Sequence, residues 1–184
     1  MAYPVRLGLI GAGSWGQNYI RTVLKIENVQ LRRISSRNTN FNQFNLKDCV
    51  ISSDWRELIG CKDLDGVIIA TPPYSHAKIA QPFIERGIPI IIEKPLTINK
   101  SEADYLIKTV RKTKSLVKVD HVFLYSPGYR KLKEASKKEN KLLSIKSIGG
   151  NYGPFRKDVS ALWDWTPHDL AMCIDIVGKL PTKI

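Results

Sequence analysis

The chain has 184 residues, of which 43% are hydrophobic and 25% charged, and its formal net charge is +12 at pH 7. This composition excludes a disordered chain, and we expect no membrane association because no apolar run approaches the roughly 20 residues of a membrane span. The three cysteines, Cys49, Cys61 and Cys173, lack CxxC spacing, so we expect neither a disulfide framework nor a metal site. The first predicted strand lies too close to Met1 for a signal peptide, which predicts a cytoplasmic protein.

Buried strands and amphipathic helices alternate along the first 120 residues. Residues 5–10 are predicted as a buried strand and residues 11–16 as a turn, and apolar positions from Tyr19 to Leu24 form one helical stripe. The alternation predicts an α/β fold with a doubly wound parallel sheet. Further strands are predicted at 29–35, 50–52, 66–70, 88–92 and 116–124, and helical segments at 54–60, 77–87 and 101–112.

The turn after the first strand carries the sequence GLIGAGSWG, in which Gly11, Gly13 and Gly16 have GxGxxG spacing. The first glycine permits a tight turn, the second lets the backbone approach a pyrophosphate, and the third lets the helix pack on the strand. Because this motif follows a buried strand and opens a helix, it predicts dinucleotide binding. Ser14 and Trp15 lie within the same turn and are expected to line the cofactor.

The end of the second predicted strand bears on the choice of cofactor. An acidic residue here normally accepts hydrogen bonds from the ribose hydroxyls of NAD, yet residues 28–47 contain no Asp or Glu. The sequence offers Ser35, Ser36 and Arg37 instead, and hydroxyls with a guanidinium suit a 2′-phosphate. We therefore expect NADP or NAD, with NADP favoured. The alternative is that Arg37 stacks on the adenine or points into solvent.

Two further blocks carry groups able to do chemistry. The strand IIIEKPL runs directly into Glu93, Lys94 and Pro95, and a lysine at the carboxyl end of a central strand is costly without a partner or a function. The block WDWTPHDL contains Asp164 and His168, four residues apart and so on one face of any helix that spans both. Alternatively, Thr166 is the N-cap, with Pro167 in the first turn and Asp169 as capping partner, and the helix begins after Asp164.

Four blocks, GLIGAGSWG, IIATPPYSH, IPIIIEKPL and LWDWTPHDL, together resemble the Gfo/Idh/MocA oxidoreductase family in order and spacing. The resemblance implies a Rossmann domain, here residues 1–120, followed by an α/β domain that carries the substrate site and often the oligomer contact, here residues 121–184. It implies NAD or NADP as cofactor, a sugar, cyclitol or nucleotide sugar as substrate, and homo-oligomers among longer relatives. Family members are usually much longer, so we expect the second domain to be incomplete, whether the chain is a fragment or a short form.

The same resemblance assigns roles to single residues. It implies that Lys94 lies beside the nicotinamide and hydrogen-bonds the reacting hydroxyl, while Glu93 helps to position the cofactor or is structural. His168 would be the acid/base group, since histidine is the side chain that titrates nearest neutral pH, and Asp164 would orient the substrate or the imidazole. The resemblance also implies that Thr71, Pro72 and His76 lie near the cofactor, and the alternative for His76 is a role at the start of a helix. It implies that His121 and Tyr125 lie near the substrate, and the alternative for Tyr125 is core packing. Arg156 is expected to meet a phosphate group of the substrate because its guanidinium suits one.

Two other classes of function stay open at this stage. One is a dinucleotide-binding module that is inactive because its second domain is incomplete. The other is a nucleic-acid-binding protein, because residues 100–146 hold 13 Lys/Arg against five Asp/Glu. The simpler interpretation of this basic stretch is a helix with a solvent-exposed basic face. Because no helix-turn-helix, zinc-finger or RNP-like pattern accompanies it, we expect no nucleic acid partner.

Overall fold

The structure is a computed structural model, and it describes residues 3–38, 40–138, 142–150, 152 and 159–183. The chain divides into two compact units, Met1–Val119 and Asp120–Ile184. Within the described residues, no helix combines the length and apolar character that crossing a membrane requires.

The first unit is built on a six-stranded sheet, and the predicted α/β Rossmann fold is confirmed. The strands are β1 Val5–Ile10, β2 Val29–Ser35, β3 Val50–Ser52, β4 Gly66–Ile69, β5 Ile90–Glu93 and β6 Val117–Asp120. Their order in the sheet is β3-β2-β1-β4-β5-β6, the order of a doubly wound dinucleotide-binding sheet. The recorded pairings of β1 with β2 and β4, of β2 with β3, and of β4 with β5 are all parallel.

The sheet separates two hydrophobic clusters because successive side chains of a strand point to opposite faces. Ile69 and its neighbour Ile92 pack with one cluster that includes Phe83. Ile68 packs with the other cluster, which includes Ile20. All four residues of β4 are buried, as expected of a central strand with helices on both faces. The helices of this unit are α1 Gly16–Val23, α2 His76–Glu85 and α3 Lys100–Thr113.

Local capping explains where several of these elements begin. Asp54 accepts a hydrogen bond from the backbone N–H of Arg56 and caps a short 3-10 helix, Trp55–Leu58. Asn99 caps α3 in the same way through the N–H of Ser101. These caps satisfy N–H groups that have no partner inside their own helix.

The second unit contains a 3-10 helix, Val122–Tyr125, followed by α4 Pro127–Lys138 and α5 Ala161–Val177. The strand predicted over 116–124 is therefore wrong beyond Asp120. The chain turns there because Leu124 N–H bonds to the His121 carbonyl and Ser126 N–H to the Phe123 carbonyl.

The alternative in which Thr166 caps a helix that starts after Asp164 is also wrong. Helix α5 begins at Ala161 after Ser160, and its first turn is closed by the hydrogen bond from Asp164 N–H to the Ser160 carbonyl. Pro167 lies inside the helix, where its missing N–H costs one helical bond. Asp169 is consequently no cap: its carboxylate accepts a 2.7 Å hydrogen bond from the Ser147 hydroxyl.

Candidate functional site

The predicted cofactor residues of the first unit lie at the carboxyl edge of the sheet. Ile10 is in register with Ile69, and Ile69 with Ile92. The residues that follow these three in the chain, Gly11, Ala70 and Glu93, are thus brought to one level at the ends of adjacent parallel strands. Ligands of open α/β sheets bind at such an edge, where the strand order reverses between β1 and β4.

Two of the three glycines in the glycine turn are required by close backbone contacts. Gly11 has φ +89°, and a Cβ atom there would lie 2.7 Å from the Ala70 carbonyl oxygen. A Cβ on Gly16 would lie 2.0 Å from the Gly11 carbonyl oxygen, so helix α1 packs directly on the turn. A Cβ on Gly13 would meet no heavy atom of the described residues within 4 Å. The two close contacts need glycine for packing, while among the described residues nothing would crowd a side chain at Gly13.

The end of β2 lies beside this turn. Ser35 is in register with Ile10, and its carbonyl accepts a 2.8 Å hydrogen bond from Gly11 N–H. Ser35 is buried, Ser36 half-buried and Arg37 exposed. Ser14 and Trp15 are exposed in the turn itself.

Lys94 follows the last residue of β5 and is half-buried, with a cis peptide bond to Pro95. Glu93 is only 8% exposed and accepts a 2.8 Å hydrogen bond from the hydroxyl of Tyr19 on α1. Burial of a carboxylate is tolerated when donors satisfy it, and Tyr19 provides one.

The loop after β4 holds the next group of predicted residues. The hydroxyl of Thr71, half-buried, accepts a 2.8 Å hydrogen bond from the Ser75 hydroxyl, and Pro72 is exposed. His76 is fully buried at the start of α2. Its Nδ1 lies 2.9 Å from the Pro95 carbonyl oxygen and its Nε2 2.7 Å from the Thr71 carbonyl oxygen.

The second unit contains the predicted acid/base residues. His168 is 7% exposed and lies one helical turn from half-buried Asp164 on α5. Its ring meets Phe123 edge to face with centroids 4.5 Å apart, and the ring of His121 lies 6.4 Å away. The structure thus brings His121 and His168 together around an aromatic side chain, which restricts the orientation of the His168 ring.

A polar and charged cluster of Tyr129, Lys133 and Asp175 joins α4 to α5. The Tyr129 hydroxyl contacts both the Asp175 carboxylate and the Met172 carbonyl, the latter at 3.2 Å, and Lys133 donates to Asp175 at 2.6 Å. The Lys133 and Tyr129 hydrogen bonds lower the pKa of Asp175. Burial and this carboxylate raise the pKa of Tyr129.

Two further residues, Tyr125 and Arg156, were predicted to lie near the substrate. Tyr125 is exposed, with the Arg130 guanidinium 5.8 Å from its ring centroid. Arg156 lies outside the described residues. Sequence reasoning assigned Tyr19 only to the apolar stripe of α1 and missed its bond to Glu93. The available signal was a hydroxyl three residues after Gly16, on the face that packs against the sheet.

Comparison with known proteins identifies the family. Residues 5–121 match the GFO_IDH_MocA family, described as an oxidoreductase family with an NAD-binding Rossmann fold. An inositol 2-dehydrogenase of Saccharopolyspora erythraea is 30% identical over 134 residues, which cover 70% of this chain and 40% of that protein. A UDP-N-acetylglucosamine 3-dehydrogenase of Acidithiobacillus ferrooxidans is 25% identical over 122 residues, covering 66% of this chain and 39% of that protein.

A solved structure extends the similarity to nearly the whole chain. A protein from Magnetospirillum magnetotacticum MS-1 is 40% identical, with a TM-score of 0.89 over 98% of this chain and 59% of its own. This chain therefore spans about two fifths to three fifths of the length of these relatives.

Proposed function

The chain belongs to the Gfo/Idh/MocA oxidoreductase family, with its NAD-binding Rossmann fold. From this premise we propose that it functions as a dehydrogenase that prefers NADP and transfers hydride between the nicotinamide and a hydroxyl-bearing carbon of a sugar or nucleotide sugar. The observation that carries the proposal is the carboxyl edge of the sheet. Gly13, which no described residue crowds, lies in the turn after β1, and the half-buried Lys94 directly follows β5 of the same sheet. The unit Met1–Val119 would hold the cofactor, and the unit Asp120–Ile184 would contribute to the substrate site.

The glycine turn would hold the pyrophosphate through backbone N–H groups at the start of α1. Thr71, Pro72 and Glu93 would border the nicotinamide half, where bound cofactor supplies a hydride acceptor or donor. The ring of His76 is buried, so His76 would affect the nicotinamide half only indirectly, by holding the loops at Thr71 and Pro95 that it contacts.

The preference for NADP rests on the end of β2. Arg37 is exposed there beside Ser36, and the sequence from residue 28 to 47 offers no carboxylate to accept ribose hydroxyls or to repel a phosphate. A guanidinium pairs with a phosphate through charge-assisted hydrogen bonds. We propose that Arg37, with Ser35 and Ser36 beside it, binds the 2′-phosphate.

The proton chemistry is proposed for one group from each unit. The Lys94 ammonium would hydrogen-bond the reacting hydroxyl and stabilise the alkoxide character that develops on its oxygen. His168 would accept the hydroxyl proton in the oxidative direction and return it in the reductive direction. Asp164, one helical turn away, would orient the substrate or the imidazole.

The proposed substrate class rests on the names of two relatives and on the net positive charge of this chain. One relative is named as a UDP-N-acetylglucosamine dehydrogenase and another as an inositol dehydrogenase. Arg156, with His121 and Tyr125, would contact a phosphate-bearing sugar. The basic composition of the chain, +12 at pH 7, would favour an anionic substrate.

The test is a fluorescence titration of the chain with NADPH and NADH, wild type and Arg37→Asp side by side. We expect tighter NADPH binding in the wild type and a reversal of the preference in the variant, because a carboxylate repels the 2′-phosphate and accepts ribose hydroxyls. Turnover of UDP-sugars and cyclitols is then assayed with the better cofactor. Failure of both nucleotides to bind would refute the proposal. Binding without turnover of any sugar would instead favour a dinucleotide-binding module.

A further inference from the structure

The residues on either side of Lys94 are each held by a side chain from a different helix. Glu93 is bonded by Tyr19 of α1, and the carbonyl of Pro95 is contacted by His76 of α2. We propose that Tyr19 and His76 are positioning residues that together fix where the Lys94 ammonium stands. The inference rests on the proposed function, since it deepens the role given to Lys94 there.

The contact on the Glu93 side links the cofactor turn to the lysine. Helix α1 begins at Gly16, which packs against Gly11, and Tyr19 lies in the first turn of that helix. Its hydroxyl donates to Glu93 Oε1 at 2.8 Å, and Glu93 is buried. A buried hydrogen bond to a carboxylate is stronger than an exposed one. The last residue of β5 is thereby tied to the helix that would bind the pyrophosphate.

The contact on the Pro95 side links two loops of the same edge. The His76 ring is fully buried, and each of its nitrogens lies within 3 Å of a carbonyl oxygen, Pro95 on one side and Thr71 on the other. A carbonyl oxygen only accepts, so each contact is a hydrogen bond when that nitrogen carries a proton. The neutral ring carries one such proton and the imidazolium two, so the ring donates to one or both of these carbonyls and lies between the loop after β4 and the chain leaving β5.

The position of Lys94 matters because a lysine carries its charge on a flexible four-carbon stem. With Glu93 and Pro95 both anchored, the backbone from which this stem extends is held on both sides. A displacement of about 1 Å in a reacting group can cost about 100-fold in rate. Loss of either anchor should therefore lower kcat, and it should weaken NADPH binding less, because the glycine turn that would hold the pyrophosphate is left unchanged.

The test compares Tyr19→Phe, His76→Leu and His76→Gln with wild type. Tyr105→Phe is the matched control, because its hydroxyl also bonds a glutamate, Glu85 at 3.1 Å, on the exposed surface of α2 and α3. The first readout is the rate at which an amine-reactive reagent labels Lys94, followed by mass spectrometry. The other lysines are internal standards, and this readout needs no turnover. The second readout is kcat and the dissociation constant of NADPH.

We expect Tyr19→Phe and His76→Leu to speed the labelling of Lys94 relative to the other lysines, and Tyr105→Phe to leave it unchanged. We expect kcat to fall about 10- to 100-fold in the first two variants. His76→Gln should recover part of the loss, because its amide can donate to carbonyl oxygens. If His76→Leu does not fold, Tyr19→Phe and His76→Gln decide the matter.

Unchanged Lys94 labelling in Tyr19→Phe and in the His76 variants would overturn the proposal. An equal change at every lysine would also overturn it, since that result indicates general loosening of the fold. A wild type that binds no nucleotide and shows no turnover would refute the proposed function, and the labelling comparison would still decide whether Tyr19 and His76 position Lys94.

Discussion

Gly16 lies so close to Gly11 that a Cβ atom on Gly16 would fall 2.0 Å from the Gly11 carbonyl oxygen. Backbone cannot yield to such a contact without moving the turn or the helix. We therefore expect Gly16→Ala to lower the unfolding free energy of the first unit by about 1–3 kcal/mol or more, measured by urea denaturation.

Gly13→Ala is the informative counterpart, because a methyl group there would meet open space. We expect its unfolding free energy to stay within about 0.5 kcal/mol of wild type, while nucleotide affinity falls because the methyl blocks approach of the pyrophosphate. Undiminished NADPH binding by a folded Gly13→Ala variant would count against the assigned cofactor site.

Lys94→Met keeps the length of the side chain and removes its charge. Loss of one electrostatic stabiliser of the transition state typically costs about 100- to 1,000-fold in kcat, and we expect a loss of this size with little change in thermal stability. The control is Lys108→Met, which removes an exposed charge from α3. Steady-state kinetics in which the two variants behave alike would contradict the role of Lys94.

His168→Gln retains hydrogen-bonding capacity and removes the titrating ring. General acid/base catalysis contributes about 100- to 10,000-fold, so kcat should fall within that range. The dissociation constant of NADPH should not change, because His168 belongs to the second unit. Stopped-flow measurement of the hydride-transfer step, alongside the nucleotide titration, separates the two effects.

Asp175→Asn tests the cluster that joins α4 and α5. The pKa of Asp175 is lowered, chiefly by the hydrogen bond from Lys133 and then by that from Tyr129. A carboxyl whose folded pKa lies below its unfolded value of about 3.9 stabilises the fold fully above that value and ceases to do so as pH falls through the folded pKa. Because the pair is about one third exposed, we expect a loss of only about 1 kcal/mol at pH 7.

Urea denaturation at pH 7 and at pH 3 measures this dependence. The difference between wild type and Asp175→Asn should shrink at the lower pH. Asp169→Asn on the same helix is the control and should have a smaller effect, since Asp169 accepts an exposed hydrogen bond from Ser147. A difference independent of pH would show that the charge of Asp175 contributes nothing to the stability of the fold.

The sequence by itself determined the family and the fold of the first unit. Periodicity, buried runs and the spacing of Gly11, Gly13 and Gly16 are local properties, and the parallel sheet follows from their alternation. Family membership followed from four blocks in a fixed order, and both predictions are confirmed.

The tertiary structure decided what depends on contacts between distant residues. Tyr19 meets Glu93 across 74 positions of sequence, and His76 meets Pro95 across 19, so neither contact leaves a local pattern. Helix α5 runs through Asp164 and His168 despite Pro167 because packing and hydrogen bonding along the whole helix outweigh one lost bond. Capping preferences are worth only about 1 kcal/mol, which is too little to settle from sequence where a helix begins.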